Sequence, residues 1–343
     1  MKLLECFLCC VTVCGCKNIV TRAIAFFPPD PPGYRIFRIG KSFKILLFDE
    51  NGNIIQPLIV PWVRTSIIML TTSTKSIIPA IFYRNINSDL TLIFSHGNST
   101  DIGIMYNYIS DLVIQIKANI LLFEYSGYGE ASGKPSETQI YADIQAAYDF
   151  LISIGIEKQS IVLYGQSIGS AAVCDLASKV QVAGVILHSP LASGLHFIKE
   201  KPQKSAWYNA FPNLKKVSKL NCPVFIMHGT EDEEIPHFHG ELLVNELQSP
   251  WPPWFPQAGH NDIEEKFRKI FLDKLEQFFS MIKEGIDSSL ENRLKAGERT
   301  EKEIYIEDLE KIEDFGKIVE NPELILESLV LSATSSKVLP DHT

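Results

Sequence analysis

Residues 160–172 read SIVLYGQSIGSAA, and this stretch decides the fold. A short apolar run at 161–164 has the β-branched and aromatic content of a buried strand. It passes into Gly165-Gln166-Ser167-Ile168-Gly169 and then into Ser170, Ala171 and Ala172, small residues suited to a closely packed helix. In a strand–turn–helix setting, Gly-x-Ser-x-Gly forces the serine into a strained backbone and lifts its hydroxyl above the sheet. Glycines are needed two residues to either side, because any side chain there would clash inside so sharp a turn. The start of the helix adds backbone N–H groups and a positive dipole end, both suited to a developing oxyanion. The five-residue pattern recurs by chance in unrelated chains, so its flanks carry the information.

The same alternation extends in both directions. Before it come LTLIF (90–94), a helical stretch near 102–116, NILLFEY (119–125) and a helix near 137–154. After it come a helix near 168–179, AGVILH (183–188), PVFIMHG (223–229) and WPPWFP (251–256) as a further strand. A final helix over 263–282 places Phe267, Ile270, Phe271, Leu275 and Phe278 on one stripe. Continuous apolar strands alternating with helices imply a mostly parallel sheet covered on both faces. The expected class is α/β, specifically the α/β-hydrolase fold. Upstream, YRIFRIG, KILLFD, IIQPLIV, SIIML and IIPAIFY, all within 34–83, read as further strands.

That fold orders its catalytic groups Ser…Asp/Glu…His along the chain. PVFIMHG is followed by Thr230-Glu231-Asp232-Glu233-Glu234, where Asp232 is favoured but three neighbouring acids compete. His260, in Ala258-Gly259-His260-Asn261-Asp262 just before the last helix, is placed to act as general base. His96, His188 and His228 close strands and read as structural hydrogen-bonding residues. His237 and His239 open a helix and read as solvent-facing, while His196 and His342 fall in loop and tail. Oxyanion donors are expected from the backbone N–H of Ile168 and, in the Ser95-His96-Gly97-Asn98 loop, of Asn98. Asn98-Ser99-Thr100 also matches the N-glycosylation pattern, a match that is accidental if this loop lines the site. Only 30 residues separate HSPL (188–191) from Cys222, which leaves room for a minimal lid.

Composition narrows the partners. Among 343 residues the net charge is −9 and no basic tract occurs, which argues against nucleic acid. From residue 285 onward there are 14 Asp/Glu against 7 Lys/Arg, so an acidic, partly disordered extension over 285–343 follows a catalytic domain over 34–284. Five of seven cysteines, Cys6, Cys9, Cys10, Cys14 and Cys16, lie in the apolar opening MKLLECFLCCVTVCGC. That opening is shorter than the roughly 20 residues that span a bilayer. S-acylation, a cleaved signal peptide and a zinc site are the competing readings. The last lacks a histidine and two clean C-x-x-C pairs, and Lys2 in place of glycine excludes N-myristoylation. Residues 1–33 form a cysteine-rich segment, membrane-anchoring if S-acylated, that ends in the proline-rich PPDPPG (28–33) as a stand-off spacer.

FSHGNSTDIG (94–103), EYSGYGEASGKPSE (124–137), YGQSIGS (164–170), ILHSPLASG (186–194), HGTEDEEI (228–235), AGHND (258–262) and AFFPPDPP (25–32) together resemble the α/β-hydrolase domain-containing protein 17 family, membrane-attached protein depalmitoylases. The resemblance spans roughly residues 1–282. It implies a Ser167–Asp232–His260 triad and acylation of the five N-terminal cysteines on the cytosolic face of membranes, plasma membrane or endosomes. It also implies S-acylated membrane proteins as substrates, such as Ras-type GTPases and synaptic scaffolds. A monomer needing no cofactor or metal is expected. An esterase or lysophospholipase acting on small lipid esters is the enzymatic alternative, and a non-catalytic adaptor the other. Glu124 stands where the family usually has Asp, and the acidic extension is not a family feature.

Overall fold

The computed structural model describes residues 17–194 and 209–295, with side chains over 21–194 and 209–286. The five N-terminal cysteines, residues 195–208 of the expected lid region with His196, and the acidic tail from residue 296 with His342 lie outside the described residues. The chain divides into a unit over residues 1–290 and a second over residues 291–343, and both sheets belong to the first.

A short helix, α1 (Lys17–Ala25), precedes three strands, β1 (Tyr34–Ile39), β2 (Ser42–Phe48) and β3 (Ile54–Ile55), paired in that order as a small antiparallel sheet. The main sheet has seven strands in the order β10-β9-β8-β6-β7-β5-β4. They are β4 (Val63–Thr71), β5 (Ile77–Asn85), β6 (Thr91–Ser95), β7 (Asn119–Phe123), β8 (Ile161–Gln166), β9 (Gly184–His188) and β10 (Val224–Met227). From β7 through β10 every pairing is parallel, and β5 and β4 continue the sheet antiparallel.

The strands carry apolar side chains on both faces, and each face builds its own core. Ile93, Leu121, Leu163, Val185 and Ile226 pack with helices α3 (Glu137–Ser153) and α4 (Gly169–Ala177). The alternate residues Phe94, Leu122, Tyr164, Ile186 and Phe225 pack with α2 (Tyr106–Ile116) and the long C-terminal helix. Period-two alternation thus splits continuous apolar runs between two layers, which is why these strands show no polar face. Among the described residues no helix is long and apolar enough to cross a membrane.

Several expected elements differ, each for a local reason. The helix expected from residue 102 starts at Tyr106. Ahead of it the Asp101 carboxylate accepts from the N–H groups of Gly33, Gly103 and Ile104, and so holds a turn that competes with helix. IIQPLIV yields only Ile54–Ile55 as strand, because Pro57 and Pro61 cannot donate to a ladder. WPPWFP makes one isolated parallel bridge to β10 at Trp254, beside another at the preceding Pro250, and no strand, again with prolines interrupting. The last helix is divided into α7 (Ile263–Lys266) and α8 (Arg268–Lys295), with a break at Phe267 where the ring packs edge-on to Trp254. Two shorter helices, α5 (Asn213–Val217) and α6 (Phe238–Glu246), flank β10.

Among the described residues the two cysteines, Cys174 in α4 and Cys222 before β10, are free and buried, and burial pushes both thiols up to about 12. Asp143, on α3, is fully buried and accepts from the N–H and Oγ–H of Ser126. Burial raises its carboxyl to about 7, against the opposing pull of those hydrogen bonds. The folded state therefore binds this proton more tightly than the unfolded chain, and stability falls as pH rises from about 4 to about 7. Asp143→Asn is expected to flatten that slope, measured by denaturant unfolding at pH 5, 6.5 and 8. An unchanged slope would show that the carboxyl is ionised throughout.

Candidate active site

Ser167 sits between β8 and α4 with φ of +52°, the left-handed conformation a strained elbow demands. Its N–H donates to His188 O at 2.9 Å, which ties the turn to the end of β9. The flanking glycines are dictated by space. A Cβ at Gly165 would lie 2.8 Å from Gly169 O, and one at Gly169 would collide with the Ser95 carbonyl. The expected requirement for glycine at both positions thus has named atoms behind it.

The structure brings Ser167, Asp232 and His260 together. His260 Nε2 lies 3.0 Å from Ser167 Oγ, and His260 Nδ1 lies 2.7 Å from Asp232 Oδ2. A carboxylate only accepts, so Nδ1 carries the hydrogen and Nε2 is left to accept from the serine hydroxyl. All three are buried, at 9, 7 and 7% exposure for Ser167, Asp232 and His260, so the relay is largely screened from bulk water. Gly229 lets the loop bearing His260 come close, because a Cβ there would strike Ala258 O. Ser189 Oγ–H donates to the His260 carbonyl at 3.3 Å.

Among the four adjacent acids the geometry is decisive. Glu231 pairs with Gln257, Glu233 is exposed, and Glu234 comes no closer to His260 Nε2 than 3.8 Å. Asp232 accepts four hydrogens. Oδ1 takes the N–H groups of Glu234 and Ile235, while Oδ2 takes His260 and, at 3.0 Å, His228. Burial alone would raise its carboxyl. The His228 and His260 hydrogen bonds and the Ile235 N–H outweigh burial and hold it well below the ordinary carboxylate range. His228 Nε2 faces two acceptors, Asp232 and the Ile235 carbonyl at 2.7 Å, so it carries the hydrogen. Sequence reasoning places His228 as structural and misses this role; its signal is the four-residue spacing to Asp232.

Of the two expected oxyanion donors, Ile168 directly follows the serine and Asn98 lies on the loop beside it. Neither the Ile168 nor the Asn98 N–H has an acceptor among the described residues. A Cβ on Gly97 would stand 3.8 Å from that of Ser167, so this loop lies directly against the nucleophile. His96 is buried as expected, with Nδ1 2.8 Å from Gly97 O and Nε2 3.1 Å from Glu124 Oε1. Glu124 also accepts from Tyr34 Oη–H and from the N–H groups of Ile102 and Tyr125. The Asn98 side chain is fully engaged within the protein, its Nδ2 donating to Ala25 O.

Two readings are corrected. His239 is buried, not solvent-facing, because α6 packs beneath the loop after β9 and its Nδ1 accepts the Ala192 N–H at 3.1 Å. The apolar segment just ahead of the spacer does not stand clear of the body. Phe26 is 5% exposed, its ring edge-on to Tyr128 and Phe211. Burying such a ring contributes roughly 2–3 kcal/mol. His188 is buried and structural as expected, with Nδ1 2.9 Å from Tyr164 Oη. Its desolvation lowers its basicity and favours the neutral ring. A hollow of about 340 Å³, lined by Met69, Leu70, Ala146 and Phe150 among others, lies at the β4 edge of the sheet, away from Ser167.

This strand order, carrying a strained serine at a strand-to-helix turn, defines an α/β-hydrolase. Among solved structures, the chain resembles the Pyrococcus furiosus esterase Pf2001 at 17% identity and a TM-score of 0.53, covering 66% of this chain and 98% of that one. It also resembles Est1E from Butyrivibrio proteoclasticus, solved with ferulic acid bound, at 16% identity and 0.52, covering 62% and 98%. At such identities these two speak for the fold alone. No family model matches the chain. Curated relatives are nearer. Alpha/beta hydrolase domain-containing protein 17B of Xenopus tropicalis is 40% identical over 282 residues, 79% of this chain and 94% of that protein. The Homo sapiens 17B protein is 39% identical over 284 residues, covering 80% and 95%. The Caenorhabditis elegans protein aho-3 is 36% identical over 280 residues, covering 80% and 82%. The chain belongs to the α/β-hydrolase domain-containing protein 17 family.

Proposed function

We propose that this hydrolase removes long-chain acyl groups held as thioesters, S-palmitoyl above all, from membrane-associated proteins. The observation that carries the chemistry is the unbroken relay from Asp232 through His260 to Ser167, at 2.7 and 3.0 Å, ending on a strained serine. In this reading His260 Nε2 takes the Ser167 proton as Oγ attacks the acyl carbonyl, and Asp232 stabilises the imidazolium. The N–H groups of Ile168 and Asn98 receive the oxyanion. The C–S bond breaks, His260 returns the proton to the departing sulfur, and an acyl-serine remains. Water, deprotonated by His260, then attacks that ester, releasing the fatty acid and restoring Ser167.

Substrate class rests on the family resemblance, which implies acyl-thioester proteins. Placement on the cytosolic face of membranes rests on Cys6, Cys9, Cys10, Cys14 and Cys16. One acyl chain holds a protein marginally and two or more hold it stably, so five thiols exceed the need. Sharing a bilayer with the substrate raises effective concentration without any new contact.

The test compares kcat/KM for an S-palmitoyl peptide with that for a lysophospholipid of equal chain length, using the full-length enzyme in detergent. The thioester is expected to be preferred by about tenfold or more, roughly 1.4 kcal/mol in the barrier. Preference for the lysolipid would replace this reading with that of a lipid esterase, and no labelling by a fluorophosphonate probe would leave only the adaptor.

A further inference from the structure

Residues 25–27, which follow the cysteine-rich opening, are joined by hydrogen bonds to the loop that carries Asn98. Asn98 Oδ1 accepts the Phe27 N–H at 3.0 Å and the Tyr128 hydroxyl at 2.7 Å, and Asn98 Nδ2 donates to Ala25 O at 3.2 Å. One side-chain amide thus pairs with both backbone groups of a passing segment, as a neighbouring strand would. The Phe27 N–H also reaches Tyr128 Oη at 3.0 Å. Between these bonds the Phe26 ring is buried against Tyr128 and Phe211. Upstream, Arg22 Nε donates to Pro135 O at 2.7 Å.

From these contacts we propose that residues 25–27 are a strap that positions the Asn98 peptide for oxyanion binding. The segment linking the anchor to the body is then a working part of the active site as well as a tether. This rests on the reading of Ser167 as nucleophile with the Asn98 N–H as a donor. From the core side the loop is held by His96, which grips Gly97 O; among the described residues only the strap and Tyr128 grip the Asn98 side chain. The next residue, Ser99, has φ of +55°, the left-handed conformation that L-residues adopt rarely. Three side-chain hydrogen bonds converge on Asn98 to hold such a turn. Without them the Asn98 peptide rotates away from the carbonyl oxygen, and an oxyanion donor is worth about a hundred- to a thousandfold in rate.

The experiment uses the full-length enzyme in detergent with a short soluble acyl thioester, so that membrane attachment contributes nothing. Asn98→Ala, which keeps the backbone donor but frees it, and Phe26→Ala are expected to lower kcat about ten- to a hundredfold, a part of the full donor loss. KM should stay within about twofold and the pH–rate profile should keep its shape, because the His260–Asp232 pair is untouched. Tyr128→Phe should show a smaller loss in kcat, and Phe26→Leu, which refills the site, should recover most of the rate. If Phe26→Ala unfolds, Asn98→Ala and Tyr128→Phe decide. A kcat within twofold of wild type in Asn98→Ala would overturn the strap. Full thioester turnover in Ser167→Ala would instead defeat the underlying hydrolase reading, so the two failures are distinguishable.

Discussion

Ser167→Ala is expected to lower kcat/KM on a short acyl thioester by about a millionfold, the order seen when a serine nucleophile is removed from groups that act as a unit. The substitution deletes one oxygen and leaves Cβ, so the elbow keeps its +52° φ and its Ser167 N–H bond to His188 O. The protein should unfold at nearly the wild-type temperature and should no longer react with a fluorophosphonate. Residual rate would come from the Ile168 and Asn98 donors and from binding. A loss below about tenfold would take Ser167 out of the reaction, since triad losses run to orders of magnitude.

Asp232→Asn is expected to reduce kcat by about ten-thousandfold with little change in KM, because the wrong histidine tautomer is then favoured. Asp232 Oδ2 receives two ring N–H groups, from His260 and His228. With Oδ1 still needed by the Glu234 and Ile235 N–H groups, an asparagine presents its own NH₂ to both rings. His260 escapes by moving its hydrogen to Nε2, where it faces the serine and cannot take a proton. His228 loses its carboxylate as well, so destabilisation accompanies the kinetic defect. A folded carboxyl held below its ordinary value contributes stability above about pH 4, and that contribution is lost as pH falls toward the folded value. The stability gap between wild type and variant should therefore be full at pH 7 and narrow below pH 4. Equal stability at pH 7, or a kcat loss below about a hundredfold, would assign the orienting carboxylate elsewhere.

The alternation of strands and helices and the positions of Ser167 and His260 are legible in the sequence because each is signalled locally. A glycine-framed turn lies between an apolar run and small helical residues, and a glycine-flanked histidine precedes an amphipathic helix. The choice of Asp232 among four acids is not local. It depends on two imidazoles converging on one oxygen, and one of them, His228, reads from sequence as a mere strand end. The errors share a cause. A place at a helix start suggests exposure for His239, whereas its burial is set by the loop near Ala192 that packs over it. Helix α2 begins late because the Asp101 side chain binds backbone from a segment 68 residues away. The proline-rich spacer gives no sign that Phe26 will find Tyr128 and Phe211, since a pocket assembled from distant residues leaves no trace in the letters around it.

The two sealed thiols simplify any chemistry aimed at cysteine. With Cys174 and Cys222 buried and almost wholly protonated at neutral pH, a maleimide added to the native protein has only the five opening cysteines to alkylate. A mass increment of zero to five adducts then counts the free thiols of that opening, and a sixth would report that the catalytic unit has come apart.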